Sequence, residues 1–336
     1  MAKATARDVA AAAGVSPATV DRVLNGRGGV APEKERRVLE AARRLRLDRA
    51  LDQRAARTLR VAVLIQPREN PFHAAVQAAF EAANRDFPHL NMQFRISHIA
   101  PAEPARTARA IAALAPEHDA LVLCSAQDDG IAAAVARVTA EGKPVIALAT
   151  DIRGGGARTY VGPDNRQAGR VAGDLMGRLL GPGGGEVVMI AGMLSMAGHE
   201  ERETGFRAVL GARYPRVRLL EVLQSLEQGR RAGDLVFAAL KAHPGIAGVY
   251  NASAGAQPVV DAIRAAGRSG VVFVTHELTE ERRQLLREGR IDAIIDQNPE
   301  LEVRTAVEVI AAHFGRLDAP PPATVTPVRI YMRENC

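Results

Sequence analysis

Two patterns of apolar and polar positions follow one another along the chain. From Ala6 to Ala13 and from Pro17 to about Leu24, apolar residues recur at helical spacing, and Val9, Ala10, Val15, Val20 and Leu24 can meet in a small core. Thr5 with Asp8 three residues on is a capping-box-like start, with Asp in place of the usual Glu. Gly14 accepts the left-handed conformation that ends a helix, and Ser16-Pro17 opens a second one. The spacing predicts two helices joined by a turn at Gly14-Val15-Ser16, a loop from Asn25 to Gly29, and a third helix from Pro32 to Leu45.

From Arg60 the pattern changes. Apolar runs at Val61–Ile65, Met92–Ile96, Ala120–Cys124, Val145–Leu148, Val187–Ala191, Leu219–Leu223, Gly248–Tyr250, Val271–Thr275 and Ala293–Ile295 read as strands. Helical stretches such as His73–Arg85, Glu103–Leu114, Gly130–Glu141, Asn165–Leu180 and Gln257–Ala266 lie between them. Continuous apolar strands separated by helices imply parallel sheets covered on both faces. The length fits two such units better than one. The expected architecture is an all-α helix-turn-helix domain followed by an α/β body of two doubly wound parallel-sheet lobes.

Charge separates the two parts. The 336 residues carry a net charge of +6. Residues 1–60 hold 14 Lys and Arg against 7 Asp and Glu, so the basic excess lies entirely in the first sixth of the chain. A small basic domain on a near-neutral body suggests an anionic polymer, most simply DNA. No apolar run approaches the roughly 18–20 residues of a membrane span, and the start lacks the apolar stretch of a secretory signal, so a cytoplasmic protein without membrane contact is expected. The two cysteines, Cys124 and Cys336, cannot make a disulfide framework or a metal cluster, and Cys124 in its apolar run reads as a buried inert thiol. His89, His98, His118, His243 and His313 have no metal-ligand spacing. Gly181-Pro-Gly-Gly-Gly185 precedes a strand and lacks a Lys-Ser/Thr ending, so it reads as a turn, not a phosphate loop. No catalytic residue, cofactor or metal is expected.

Asp8-Val-Ala, Ala13-Gly-Val-Ser16, Ala18-Thr-Val20, Arg22-Val-Leu-Asn-Gly26 and Val30 together resemble the lac repressor (LacI/GalR) family of transcription regulators, without a gap over the N-terminal segment. The resemblance implies that the second helix enters the major groove, with Pro17, Ala18 and Arg22 at the base edges and Ser16, Thr19 and Asn25 on phosphates. Arg22 is able to contact guanine in bidentate fashion. Asp21, where the family often has serine, reads as a solvated charge, an acceptor from cytosine, or a partner for an arginine such as Arg22 or Arg7. The family's hinge helix, in which a leucine wedges into the minor groove, departs here from its usual pattern: Arg49 and Ala50 replace proline and asparagine, and Ala56 takes the wedge position, with Leu59 as the nearest alternative. Arg54 and Arg57 are expected along the DNA, and a kink smaller than the family norm follows.

In the body, Asn70-Pro-Phe72 and Tyr160-Val-Gly162 with Asp164-Asn-Arg-Gln-Ala-Gly169 resemble the sugar-binding domain shared by these repressors and the ribose-type periplasmic binding proteins. The implied domains are a DNA-binding head at 1–47, a linker at 48–59 and a ligand domain at 60–336. Lobe one is expected at about 60–160 and 292–325, lobe two at 161–291 and 326–336. The implied ligand contacts are Phe72 stacking on a sugar face, Asn70 and His73 on hydroxyls, Asp151 as a bidentate acceptor, His199, Glu200 where the family commonly has arginine, Asn251, Glu277 at the family's sugar-binding aspartate with His276 beside it, and Gln297. Carboxylates and amides around an aromatic face suit a neutral polyhydroxylated ligand. The acids Asp151, Glu200 and Glu277 leave room for an amino sugar and argue against a sugar phosphate.

These readings lead to a ligand-responsive regulator, a repressor acting as a homodimer on a pseudo-palindromic DNA operator and controlled by a sugar or polyol. The absence of a further heptad helix at the end argues against a tetramer. A solute-binding protein of a transport system is the alternative from the body alone, and the DNA-binding pattern weighs against it. A nucleotide-dependent enzyme lacks a phosphate loop or catalytic constellation.

Overall fold

The computed structural model describes residues 4–25, 27–45, 47 and 57–336. The head consists of α1 (Ala6–Ala13), α2 (Pro17–Leu24) and α3 (Pro32–Arg44). Thr5 and Asp8 form a reciprocal capping box at α1, and Gly14 ends it at φ 62°. Ser16 caps α2 by accepting from Thr19 N, with Pro17 in the first turn. Val9, Ala10, Val20 and Leu24 are buried with Val38, Leu39 and Ala42 of α3, and Val15 packs against them half-buried.

The body alternates strand and helix: β1 (Leu59–Ile65), α4 (Pro71–Asp86), β2 (Met92–His98), α5 (Pro104–Leu114), β3 (Ala120–Leu123), α6 (Asp129–Ala140), β4 (Val145–Leu148), β5 (Thr159–Pro163), α7 (Asn165–Leu180), β6 (Gly185–Ala191), α8 (Ala197–Arg213), β7 (Val217–Gln224), α9 (Gly229–Ala242), β8 (Ile246–Asn251), α10 (Ala256–Ala265), β9 (Val272–His276), α11 (Glu280–Arg287), β10 (Ala293–Asp296), α12 (Pro299–His313), β11 (Val325–Thr326) and β12 (Arg329–Tyr331). Two six-stranded sheets result, in the orders β11-β5-β4-β3-β1-β2 and β12-β10-β9-β8-β6-β7. Every pairing is parallel except β10 with β12. Side chains pack on both faces of each sheet, which is why β3 and β4 are apolar throughout. Short polar residues start the helices: Asn70, Asp128, Asp164, Thr279 and Asn298 each accept a backbone N–H in the first turn.

The nine strands read from apolar runs all form. The three strands that no apolar run announced, β5, β11 and β12, are short or carry few apolar residues. The second crossing between lobes lies at 297–298 and not near 292, because Ala293–Asp296 pairs with β9 and β12 and so belongs to lobe two. The other crossings fall at 163–165 and 327–328, between β5 and α7 and between β11 and β12. Leu59 opens β1 in the core of lobe one, 2% exposed, so it is not available as a DNA wedge.

In lobe two, α7 lies unusually close to α8. A Cβ at Gly169 would fall on the Arg202 carbonyl, and one at Gly205 on the Arg166 carbonyl. Glycine at these two positions therefore lets the helix backbones touch and sets where α8 presents its inward face.

Candidate ligand cleft and DNA-facing head

The two sheets turn the carboxyl ends of their strands toward one another, and the loops leaving those ends wall a cavity. Lobe one supplies Gln66 after β1, Asn70, Phe72 and His73 at the start of α4, Cys124 after β3 and Thr150 after β4. Lobe two supplies His199 and Arg202 from α8, Glu227 after β7, Ser253 after β8, Glu277 and Arg282 after β9, and Gln297 at the crossing. About 50 Å³ between these walls is free, so the closed lobes leave a narrow cavity.

The lobes are closed on one another. Asn70 Nδ2 donates to Glu227 Oε2 across the cleft at 2.8 Å. Gly198 N donates to Thr150 Oγ1 at 3.0 Å, and Gln127 N to Ser195 O at 2.6 Å. At the rim, Arg153 of lobe one pairs with Glu200 at 2.8 Å and Glu201 at 3.5 Å of lobe two.

Burial sets the protonation states. It pushes the carboxyls of Glu227 and Glu277 up to about 7. It pulls His73 and His199 down to about 3, so both imidazoles are neutral. Accordingly, His199 Nδ1 accepts from the backbone N–H groups of Gly192 and Met193. Behind the cavity, Glu302 is fully buried with neither carboxyl oxygen hydrogen-bonded, and burial raises it well above the usual carboxylate range.

One guanidinium joins the cavity to two of the crossings. Arg202 Nε donates to Asn165 Oδ1 at 2.9 Å, and its Nη2 to Gln297 Oε1 at 3.1 Å. Gln297 Nε2 in turn donates to Glu277 Oε1 at 2.5 Å. Three wall residues hold left-handed backbone: Ala149 (φ 60°), Glu227 (φ 61°) and Glu277 (φ 65°). Such strain costs on the order of 1–3 kcal/mol each and concentrates at functional sites.

Of the ligand contacts expected from sequence, Asn70, Phe72, His73, His199, Glu277 and Gln297 meet at this cavity. Four do not line it. Asp151 is held by Arg158 at 3.0 and 2.5 Å and accepts from Ile152 N. Glu200 points to the rim and pairs with Arg153. Asn251 is fully buried, where it accepts from Ser253 N and holds the loop behind the wall. His276 bonds the Tyr250 hydroxyl at 2.7 Å inside lobe two. The excess of acids expected from Asp151 and Glu200 is therefore absent from the cavity, because arginines neutralise both outside it.

Sequence reading missed Gln66, Thr150, Arg202, Glu227, Ser253 and Arg282, and treated Cys124 only as a buried thiol, which it is, although it also forms wall. A signal existed for the arginines. Arg202 lies four residues before buried Phe206, and Arg282 three and four before buried Leu285 and Leu286, so helical spacing turns both inward. Glu227 gave none, since its direction depends on two successive left-handed residues, Leu226 and Glu227.

In the head, Val20, Val23 and Leu24 of α2 face inward, leaving Pro17, Ala18 and Arg22 exposed on the opposite side. Ser16 Oγ lies 2.9 Å from Thr19 Oγ1 at the start of α2. Asn25 donates to Asp21 at 2.6 Å, and Asp21 pairs with Arg27 at 2.8 Å, so Asp21 takes neither Arg22 nor Arg7 as its partner. Arg57 donates to both oxygens of Asp119 of lobe one at 2.9 and 2.6 Å. Arg54 and Ala56 lie outside the described residues. Among the described residues no cluster of His, Cys, Asp or Glu could hold a metal, and no helix is long and apolar enough to cross a membrane.

Comparison with known proteins matches two family models: bacterial regulatory proteins of the lacI family over residues 5–46, and the periplasmic binding protein domain over 61–316. Among curated proteins, the D-ribose/D-allose-binding protein of Pseudomonas aeruginosa is 31% identical over 162 residues, 45% of this chain and about half (49%) of its own length. The ribose import binding protein RbsB of Escherichia coli is 22% identical over 253 residues, covering 71% of this chain and 79% of that one. Among solved structures, a Burkholderia graminis solute-binding protein in complex with D-arabinose superposes with a TM-score of 0.75 at 22% identity, over 83% of this chain and 96% of that one. The Caulobacter myo-inositol-binding protein gives 0.75 at 20% identity, over 83% and 94%. At these identities the structures establish a shared fold.

Proposed function

Because the chain belongs to the periplasmic-binding-protein family over 61–316 and carries a head of the lacI family of bacterial regulatory proteins over 5–46, we propose that it is a transcriptional repressor that binds a pseudo-palindromic operator as a homodimer and responds to a sugar or polyol-like molecule held between its lobes. The observation that carries the reading is the set of buried polar atoms without partners on both sides of one cavity: His73 Nδ1 from lobe one, and Glu277 Oε2 with Arg282 Nε and Nη1 from lobe two. Buried polar groups rarely remain unpaired, and a hydroxylated ligand supplies donors and acceptors together. Phe72 adds an aromatic surface for a sugar's C–H face. The curated relatives are named for ribose and allose.

The exposed side of α2 would enter the major groove, with Arg22, Pro17 and Ala18 at base edges and Ser16 and Thr19 on phosphates. Ligand would shift the balance between closed and open lobes and so the spacing of two heads in a dimer; a coupling of about 1–3 kcal/mol is enough to change operator affinity 5–150-fold. A thermal-shift screen with D-ribose, D-allose, D-arabinose and myo-inositol, followed by binding to selected genomic fragments with and without the hit, tests this. Absence of preference for any fragment over random competitor would end the proposal.

A further inference from the structure

Arg282 is the least expected charge in the cleft. It is 2% exposed, yet it lies on α11, eight residues whose outer face is entirely polar. Its side chain donates from Nη2 to the Ser253 carbonyl at 3.2 Å and leaves Nε and Nη1 without partners at the cavity wall. Among the described residues neither Arg282 nor Arg202 forms an ion pair. A buried guanidinium keeps its charge, so it calls for a counter-charge or dense hydrogen bonding. Arg202 has the latter from Asn165, Gln297 and the Ala252 carbonyl. Arg282 has neither.

Resting on the reading of the cleft as the ligand site, we propose that the molecule it takes is a sugar acid, an aldonate or uronate whose single carboxylate docks on Arg282 while its hydroxyls meet Glu277, Gln297 and His73. The facing groups favour this charge over the others. His73 and His199 are neutral, and burial holds the Glu302 carboxyl behind the wall well above the usual carboxylate range. Glu227 and Glu277 are only partly ionised near neutral pH, and Glu281, which also acts on Arg282, is exposed and screened by solvent, so together they leave the two guanidiniums short of balance. A cationic ligand would meet both arginines in a water-poor site. A phosphate dianion would meet the same two carboxyls with twice the repulsion. A monoanion supplies what Arg282 lacks, and a protonated Glu277 could donate to it.

The experiment uses the full-length protein and pairs of probes differing in one group: D-gluconate against D-gluconamide, D-glucuronate against D-glucose, and D-ribonate against D-ribose, by calorimetry and thermal shift. The expected result is at least tenfold tighter binding of one acid than of its neutral counterpart. R282M should erase that difference, and R282K should keep most of it. If R282M does not fold, R282K and the wild-type pairs still decide. Equal or tighter binding of a neutral sugar than of its acid would overturn the sugar-acid assignment and leave the regulator reading standing. Failure of every probe, acid and neutral alike, to bind or to alter DNA affinity would sink both.

Discussion

Replacing Asn70 by an aspartate tests what keeps the lobes closed. Asn70 has two duties: its Oδ1 accepts from Phe72 N to start α4, and its Nδ2 donates to Glu227 across the cleft. Aspartate is as good a helix cap, so α4 should persist. The donor, however, becomes a second carboxylate. A hydrogen bond to a charged group contributes about 1.5–3 kcal/mol. The replacement also sets like charges near contact distance, worth about 4 kcal/mol at an effective dielectric of 20. Against this stand the remaining bonds across the cleft. The Arg153 pairs are roughly half exposed and hold ~0–1 kcal/mol. The bonds from Gly198 and Gln127 hold about 1 kcal/mol each. Met193 and Met196 of lobe two, buried against the core of lobe one, add apolar contact to what is left, so the loss should shift the balance toward the open cleft while Glu227 is ionised. Burial in the closed cleft raises Glu227 to about 7, and the introduced carboxylate, as a like charge, raises it further. The closed form thus holds the proton more tightly than the open one. Closure is full at low pH and lost as pH rises through the closed-state value. Small-angle scattering should show N70D as compact as wild type at pH 6 and expanded at pH 8. A pH 8 profile superimposing on that of wild type would refute the reasoning.

Four further outcomes are expected. E302L removes a buried carboxyl with no partner; the folded-state pKa is raised, so the wild-type side chain costs stability increasingly as pH climbs above its unfolded value of about 4.5, and the variant should melt higher at pH 7 but not at pH 4. G205A places a methyl on the Arg166 carbonyl, and overpacking of this kind costs about 1–3 kcal/mol, read as a lower midpoint in urea. R22A should lose about 1–3 kcal/mol of discrimination between DNA fragments in competition binding, with ligand binding unchanged. E277A should abolish the thermal shift given by any ligand while leaving DNA affinity intact.

Much of the architecture was legible because local signals agreed with the global fold. The head was fixed by Thr5, Gly14, Ser16 and Pro17, whose capping roles are decided within a turn of chain. The body's central strands showed as apolar runs because both faces of each sheet are covered. The edges were harder, since Val325–Thr326 and Arg329–Tyr331 owe their pairing to distant partners and are largely exposed. In the site, residues at strand ends and helix starts, such as Asn70 and Glu277, were reached through the resemblance to the sugar-binding domain. Asp151 and Glu200 were misread because their arginine partners, Arg158 and Arg153, come from loops whose path no periodicity encodes. Arg202 and Arg282 were overlooked through attention to charge type over helical phase.

The chain of contacts Glu277–Gln297–Arg202–Asn165 has an evolutionary corollary. The Glu277 carboxyl in the cleft wall and two of the segments that link the halves share one rigid mechanical train. Altering taste at that carboxyl must also alter the swing of the molecule, so new effectors should arise more readily through changes at Phe72, His73 or Arg282, which stand outside the train.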